Sequence, residues 1–152
     1  MKKNIKKIFV LFFIVLVVMQ FFSPELNNAD FRDVANFEKE TKPSKEVVAI
    51  LKNNCYDCHS NKTEYPWYSK ISPISLWMAD HIEEGNEHFN LTEWNAYSDK
   101  KKDHKLDELI EEVEENKMPL KEYTWTHGSI TEEEKEALIN WAKKTRAIYK
   151  LN

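Results

Sequence analysis

Five consecutive residues constrain this chain more than any other feature. Cys55-Tyr56-Asp57-Cys58-His59 sets two thiols three positions apart and an imidazole beside the second. C-x-x-C-H is the spacing of covalent haem attachment. Thiols so placed reach the two vinyl groups on one porphyrin edge and form thioethers, and the adjoining histidine is held below the ring as proximal iron ligand. These two cysteines are the only ones in 152 residues. A thioredoxin-like dithiol needs a βαβ context, and no stretch here alternates as a strand does. Structural zinc needs four ligands, and there is no second cysteine pair. Zinc shared between His59 and another histidine leaves five Trp and six Tyr unexplained. A Cys55–Cys58 disulfide is sterically awkward, though known in oxidised dithiols.

The N-terminus reads as a separate segment. Lys2, Lys3, Lys6 and Lys7 precede an apolar run from Ile8 to Val18, continued by Met19, Gln20, Phe21 and Phe22. A basic flank before an apolar stretch is the layout of a secretory signal or membrane anchor. The run is short against the ~20 residues that cross a bilayer core. Counted from Ile5 it comes close, if Lys6 and Lys7 snorkel. No small-residue cleavage site follows, so an uncleaved signal-anchor over residues 1–22 is the expectation, with the alternative that it is cleaved. The lysines stay cytoplasmic, which places the remainder in the periplasm. Covalent haem attachment in bacteria takes place on that same side of the inner membrane.

Setting residues 1–22 aside removes four of the 22 basic residues and no acidic one, leaving 18 against 26 and a net charge of −8. Such a balance argues against nucleic acid as a partner. Two glycines leave no phosphate-cradling loop. Residues 23–43 read as a linker of weak periodicity, in which Phe31, Val34 and Phe37 allow a short helix.

From residue 44 to 150 the pattern is helical throughout. Ser44 can cap a helix whose face carries Val47, Val48, Ile50, Leu51 and Cys55. Pro73 suits the first position of a second helix bearing Ile74, Trp77, Met78, His81 and Ile82, with Gly85 as its end. Thr92 can cap a short turn with Trp94 and Tyr97. Leu106, Leu109, Ile110 and Val113 mark a third helix, ending near Lys117 before Pro119. Thr131 and Glu134 form a capping box for the last, which carries Leu138, Trp141, Ala142 and Ile148 inward. The fold class is all-α: four or five short helices in a cytochrome c-like bundle around one haem.

The sixth iron ligand has one leading candidate. Met118, 59 residues after His59 in a loop stiffened by Pro119, offers a thioether, which favours reduced iron. His81 on an apolar helix face competes, as does His127, whose other role would be a hydrogen bond to the haem edge or the Met118 loop. Tyr65, Trp67, Trp77, Trp94, Tyr97, Tyr123 and Trp125 can wall a porphyrin; a loop tryptophan such as Trp67 needs something to pack on. The acidic run Asp107–Glu115 is the solvated face of a helix, and also a surface on which a basic redox partner can dock.

Several of these residues recur together in known proteins. C-x-x-C-H, a distal Met-Pro and a final amphipathic helix resemble class I cytochromes c. Cys55, Cys58, His59, Ser60, the block Tyr65-Pro66-Trp67-Tyr68-Ser69, Met118-Pro119 with Tyr123 and His127, and Trp141 resemble more closely the bacterial haem-binding domain family. The resemblance covers about Val47 to Ala147. It implies a haem c domain with His59 proximal and says little about substrate. Class I cytochromes usually carry a glycine where the first helix crosses the last, and none precedes Cys55 here. The expected function is single-electron transfer by a membrane-anchored periplasmic c-type protein, not an enzyme, held to its redox partners through the acidic surface. The alternatives are a haem sensor or peroxidase-like enzyme with a labile or absent sixth ligand, and a thiol-redox or zinc module without haem.

Overall fold

The structure, a computed structural model, describes residues 2–150; Met1 of the expected N-terminal segment lies outside the described residues. The fold is all-α. Helix α1 spans Lys2–Met19, α2 Ala35–Thr41, α3 Lys45–Asn54, α4 Ile74–His88, α5 Asp99–Glu114, α6 Lys121–His127 and α7 Glu132–Lys150, with 3₁₀ turns at Trp67–Lys70 and Trp94–Ala96. Among the described residues the span 44–150 holds five α-helices, α3 to α7, within the expected four or five, and α2 adds a seven-residue piece ahead of it. The one β-pairing among the described residues is an isolated bridge, Asn28 to Lys62.

Local signals set most helix ends. The Ser44 hydroxyl accepts from Val47 N–H (3.2 Å) and opens α3. Thr131 Oγ1 accepts from Glu134 N–H (3.2 Å), while the Glu134 carboxylate accepts from Thr131 N–H (2.9 Å), the reciprocal box expected for α7. Lys42, in the left-handed region at φ 46°, closes α2 by donating to Glu38 O (2.9 Å), and Pro43 prevents continuation. At the 3₁₀ turn Trp94–Ala96 the expected Thr92 cap is absent; Thr92 Oγ1 instead accepts from Asn61 N–H (3.0 Å).

The core forms where α5 and α7 lie along one another with α3 against α7. Leu51, Leu106, Leu138 and Ala142 meet there, fully buried. Arg146 of α7 reaches both Asp103 and Asp107 of α5, and Lys143 reaches Glu114. Part of the acidic run thus ties two helices together instead of only facing solvent. Ile148 points outward, and Thr145 and Tyr149 take the inner positions beyond Trp141.

Residues 23–43 are not a linker. Phe37 is 0 % exposed and meets Trp94 and Trp141 edge-on, with ring centroids 5.1 and 5.9 Å away. Trp141 Nε1 donates to Thr41 O (3.2 Å). The Asn27 amide donates to Ser60 O (2.8 Å) and Thr63 Oγ1 (3.0 Å). The short helix that the i, i+3 spacing allows is α2, which carries Phe37 with Val34 at its N-cap; both are buried, while Phe31 stays exposed.

Helix α1 exposes apolar chains all round. Among the described residues no helix is long and apolar enough to cross a membrane, so the expected spanning anchor has no support in the fold. Four of the 18 residues of α1 are lysine.

Candidate functional site

The two cysteines sit in a tight coil where α3 unwinds. Cys55 N–H and Tyr56 N–H both donate to Leu51 O (2.9 Å each), and Cys58 and His59 N–H turn back onto Cys55 O (3.2 and 3.0 Å). Tyr56 points inward, buried, its hydroxyl donating to Glu38 (2.8 Å). Asp57 is clamped from three sides: it pairs with Arg32, and accepts from Glu64 N–H (3.2 Å) and the Tyr123 hydroxyl (3.3 Å). Both cysteines are free thiols. Burial, helped by the neighbouring Cys58, pushes Cys55 up to about 12; burial and Asp57 push Cys58 up to about 11. Neutral thiols of this kind are poor thiolate nucleophiles, which weakens a redox-dithiol reading.

His59 is oriented by α4. Its Nδ1 lies 2.9 Å from Gly85 O and 2.8 Å from Phe89 O. Two carbonyl acceptors require the proton on Nδ1, so Nε2 keeps its lone pair, as a metal-ligating imidazole needs. Burial lowers the basicity of the ring, against the pull of the two carbonyls, and holds it neutral. Gly85 is not the end of α4, which runs on to His88. It lets the helix pass hard against the cysteine coil: a β-carbon there would stand 2.8 Å from Cys58 O. α3 meets α7 without a glycine, and Gly85 serves a different contact, that of α4 with the cysteine coil.

Beside this coil opens a cavity of about 960 Å³, at the upper end of the roughly 300–1,000 Å³ usual for cofactor sites. Cys55, Cys58 and His59 line one part of it, and Met118, Tyr123 and His127 line others. The α4 stripe of Ile74, Trp77, Met78, His81 and Ile82 faces the cavity, joined by Leu51 from α3 and Leu109 and Val113 from α5. Of that stripe only Ile82 is buried by protein. An apolar helix face turned onto a large space, with two thiols and a fixed imidazole at its edge, fits a broad, flat, largely apolar group such as haem.

Not every expected residue is there. Trp67 is 78 % exposed, touches Tyr68 edge-on, and does not line the cavity; it follows extended Pro66 into the 3₁₀ turn and points away, leaving Tyr68 as the aromatic wall. Trp94 and Tyr97 belong to the buried core and do not line the cavity. Trp77, Tyr123 and Trp125 do line it. Tyr123 and Trp125 sit on α6, a helix too short to show a periodic signal. Tyr123 stacks flat on His127 (3.9 Å, 4°) and its hydroxyl donates to Asn53 O (2.9 Å). His127 Nδ1 faces Tyr123 O (3.1 Å), and His81 Nδ1 faces Trp77 O (2.9 Å). Met118 packs partly buried against the core. Glu108, Glu111 and Glu112 give the α5 wall an acidic lip. Among the described residues no cluster of three or more His, Cys, Asp or Glu is placed to hold a metal ion.

Residues 14–144 match the family model described as a haem-binding domain. The chain belongs to this haem-binding domain family. No curated protein and no solved structure matches it. Within the haem-binding domain, the matched span runs from inside α1 into α7 and takes in every residue that lines the cavity. It also includes residues 23–43, in keeping with the burial of Phe37.

Proposed function

We propose that this haem-binding domain is a c-type electron carrier. Cys55 and Cys58 hold the macrocycle through thioethers, one haem per chain; His59 binds iron through Nε2, and Met118 supplies the sixth ligand. The observation that carries this reading is the imidazole of His59, half-buried, neutral and held by two backbone carbonyls next to paired thiols on the cavity wall. When bound, haem supplies a one-electron iron couple. Two strong protein ligands leave no open position on iron, which favours transfer over catalysis. Tyr123 and His127 complete the wall near Asp57 and the cysteine coil. The acidic lip of α5 steers a basic redox protein by long-range attraction. The N-terminal segment directs export and keeps the chain at the inner membrane, with the domain in the periplasm, where haem is attached.

A sensor or peroxidase-like reading draws on His81 and His127, which line the same cavity with Nε2 unengaged, and on the partial exposure of Met118. In that case reduced protein binds carbon monoxide rapidly; the carrier does so slowly or not at all.

The direct test is the spectrum of full-length protein made in a host with a cytochrome c maturation system. The expected product is red, and its haem survives acid-acetone extraction. A Cys55→Ala/Cys58→Ala double variant should release its haem to the solvent. A colourless wild-type product, or haem retained by the double variant, would overturn covalent attachment.

A further inference from the structure

Helix α1 is not joined to the domain by a loose tether. The Gln20 side-chain amide donates to Ser72 O (2.9 Å) and its oxygen accepts from Ser72 N–H (3.1 Å). The Ser72 hydroxyl donates to Phe22 O (3.2 Å). Ser72 is buried, directly after the 3₁₀ turn Trp67–Lys70 and Ile71, and two residues before α4 begins. Three hydrogen bonds thus dock the exit of the apolar helix onto this one corner of the domain.

That corner carries apolar chains in solvent. Trp67, Ile71 and Ile74 are exposed, and so are Phe21 and Phe22 where α1 leaves off. Trp67 is the most exposed tryptophan in the chain. A solvated indole between Pro66 and Tyr68 does nothing for the core, and contiguous apolar exposure on a soluble surface marks a contact site. Tryptophan is the side chain that settles at a membrane interface, with its ring among the headgroups. Lys70, also exposed, stands in the same turn.

We propose that the segment Trp67–Ile74 rests in the headgroup layer of the bilayer that takes up α1, with Trp67 as its interfacial anchor. This rests on the membrane association of α1 proposed above. The occupant is lipid rather than protein because the patch is continuous, through the Gln20–Ser72 docking, with a helix whose residues from Ile8 to Met19 are all apolar. Tyr68 and Ile74 also line the cavity. Seating their segment on lipid therefore holds the cavity at a set height and tilt above the membrane, presenting the same face to each partner.

The test uses full-length, haem-matured protein and vesicles of phosphatidylethanolamine and phosphatidylglycerol. A photoreactive benzoylphenylalanine replaces Trp67, Ile71 or, as an exposed control on α7, Asn140. The expected result is flotation of all three with the vesicles, lipid adducts at positions 67 and 71, and none at 140. Gln20→Ala should keep flotation and lower the adduct at 67 several-fold. Flotation without a lipid adduct at 67, or an adduct to a second protein chain there, overturns this inference and leaves membrane association standing. An adduct unchanged in Gln20→Ala overturns the docking as its cause. Failure of the wild type to float removes membrane association itself, and this inference with it.

Discussion

Gly85 and Cys58 are in contact so close that a β-carbon on the glycine would lie 2.8 Å from the Cys58 carbonyl oxygen and 3.3 Å from its Cβ. The same glycine offers its own carbonyl to His59 Nδ1. One backbone position on α4 therefore sets both the seat of the second thiol and the direction of the imidazole. Gly→Ala in a helix interior ordinarily stabilises by ~0.5–1 kcal/mol. Here the close backbone contact reverses the sign, and overpacking of this kind costs about 1–3 kcal/mol. Gly85→Ala should lower the thermal midpoint and the fraction of chains that acquire haem, read from the ratio of haem to protein absorbance. A variant as stable and as fully loaded as wild type would mean that α4 does not govern the site.

Met118 carries the axial assignment. Met118→Ala should abolish the weak far-red sulfur-to-iron charge-transfer band of the oxidised protein and lower the midpoint potential, since a thioether favours reduced iron. His81→Ala and His127→Ala should keep the band. If Met118→Ala leaves it unchanged, another residue binds the iron.

Phe37 tests whether residues 23–43 belong to the fold. Its ring is fully buried between Trp94 and Trp141, and truncating such a phenylalanine costs about 3–5 kcal/mol. Phe31, six residues earlier and exposed, should change stability by no more than ~0.5 kcal/mol as Phe31→Ala. Urea unfolding of the two variants checks this, and equal midpoints would return the segment to the status of a tether.

A half-buried carboxylate cluster predicts an acid limb in stability. Burial alone would raise the Glu40 pKa, but hydrogen bonds from Lys102 (2.8 Å) and the Tyr149 hydroxyl (2.6 Å) outweigh it, and the carboxyl is held below 4.5. Folding thus favours the deprotonated form. The stability this contributes is present above pH 4.5 and is lost as pH falls through the lowered folded value. Lys102→Met should flatten that part of the profile, seen as urea midpoints that change less between pH 5 and pH 3 than those of wild type. An unaltered acid limb would place its origin in other carboxylates.

Much of the chain could be read residue by residue. The all-α class, the Ser44 cap and the Thr131–Glu134 box depend on neighbours a few positions apart, and the fold has them as expected, while α4 begins at Ile74, one residue past the expected Pro73. Apolar spacing is also a local property, but what covers an apolar face is not. Ile74, Trp77 and Met78 recur just as a core stripe would, yet they line a cavity. Phe37 sits in a stretch that looks like a tether and is the middle of the core. Trp67 shares a motif with Tyr68, and a single step along the 3₁₀ turn puts one ring on the cavity wall and the other in solvent. The sequence by itself determined the all-α class, the caps of α3 and α7 and the Cys55–His59 pentapeptide that the fold sets on the cavity wall. Only the tertiary structure decided which faces meet, because burial depends on elements brought together from distant parts of the chain, such as Gly85 of α4 against Cys58 and Phe37 of α2 against Trp141 of α7.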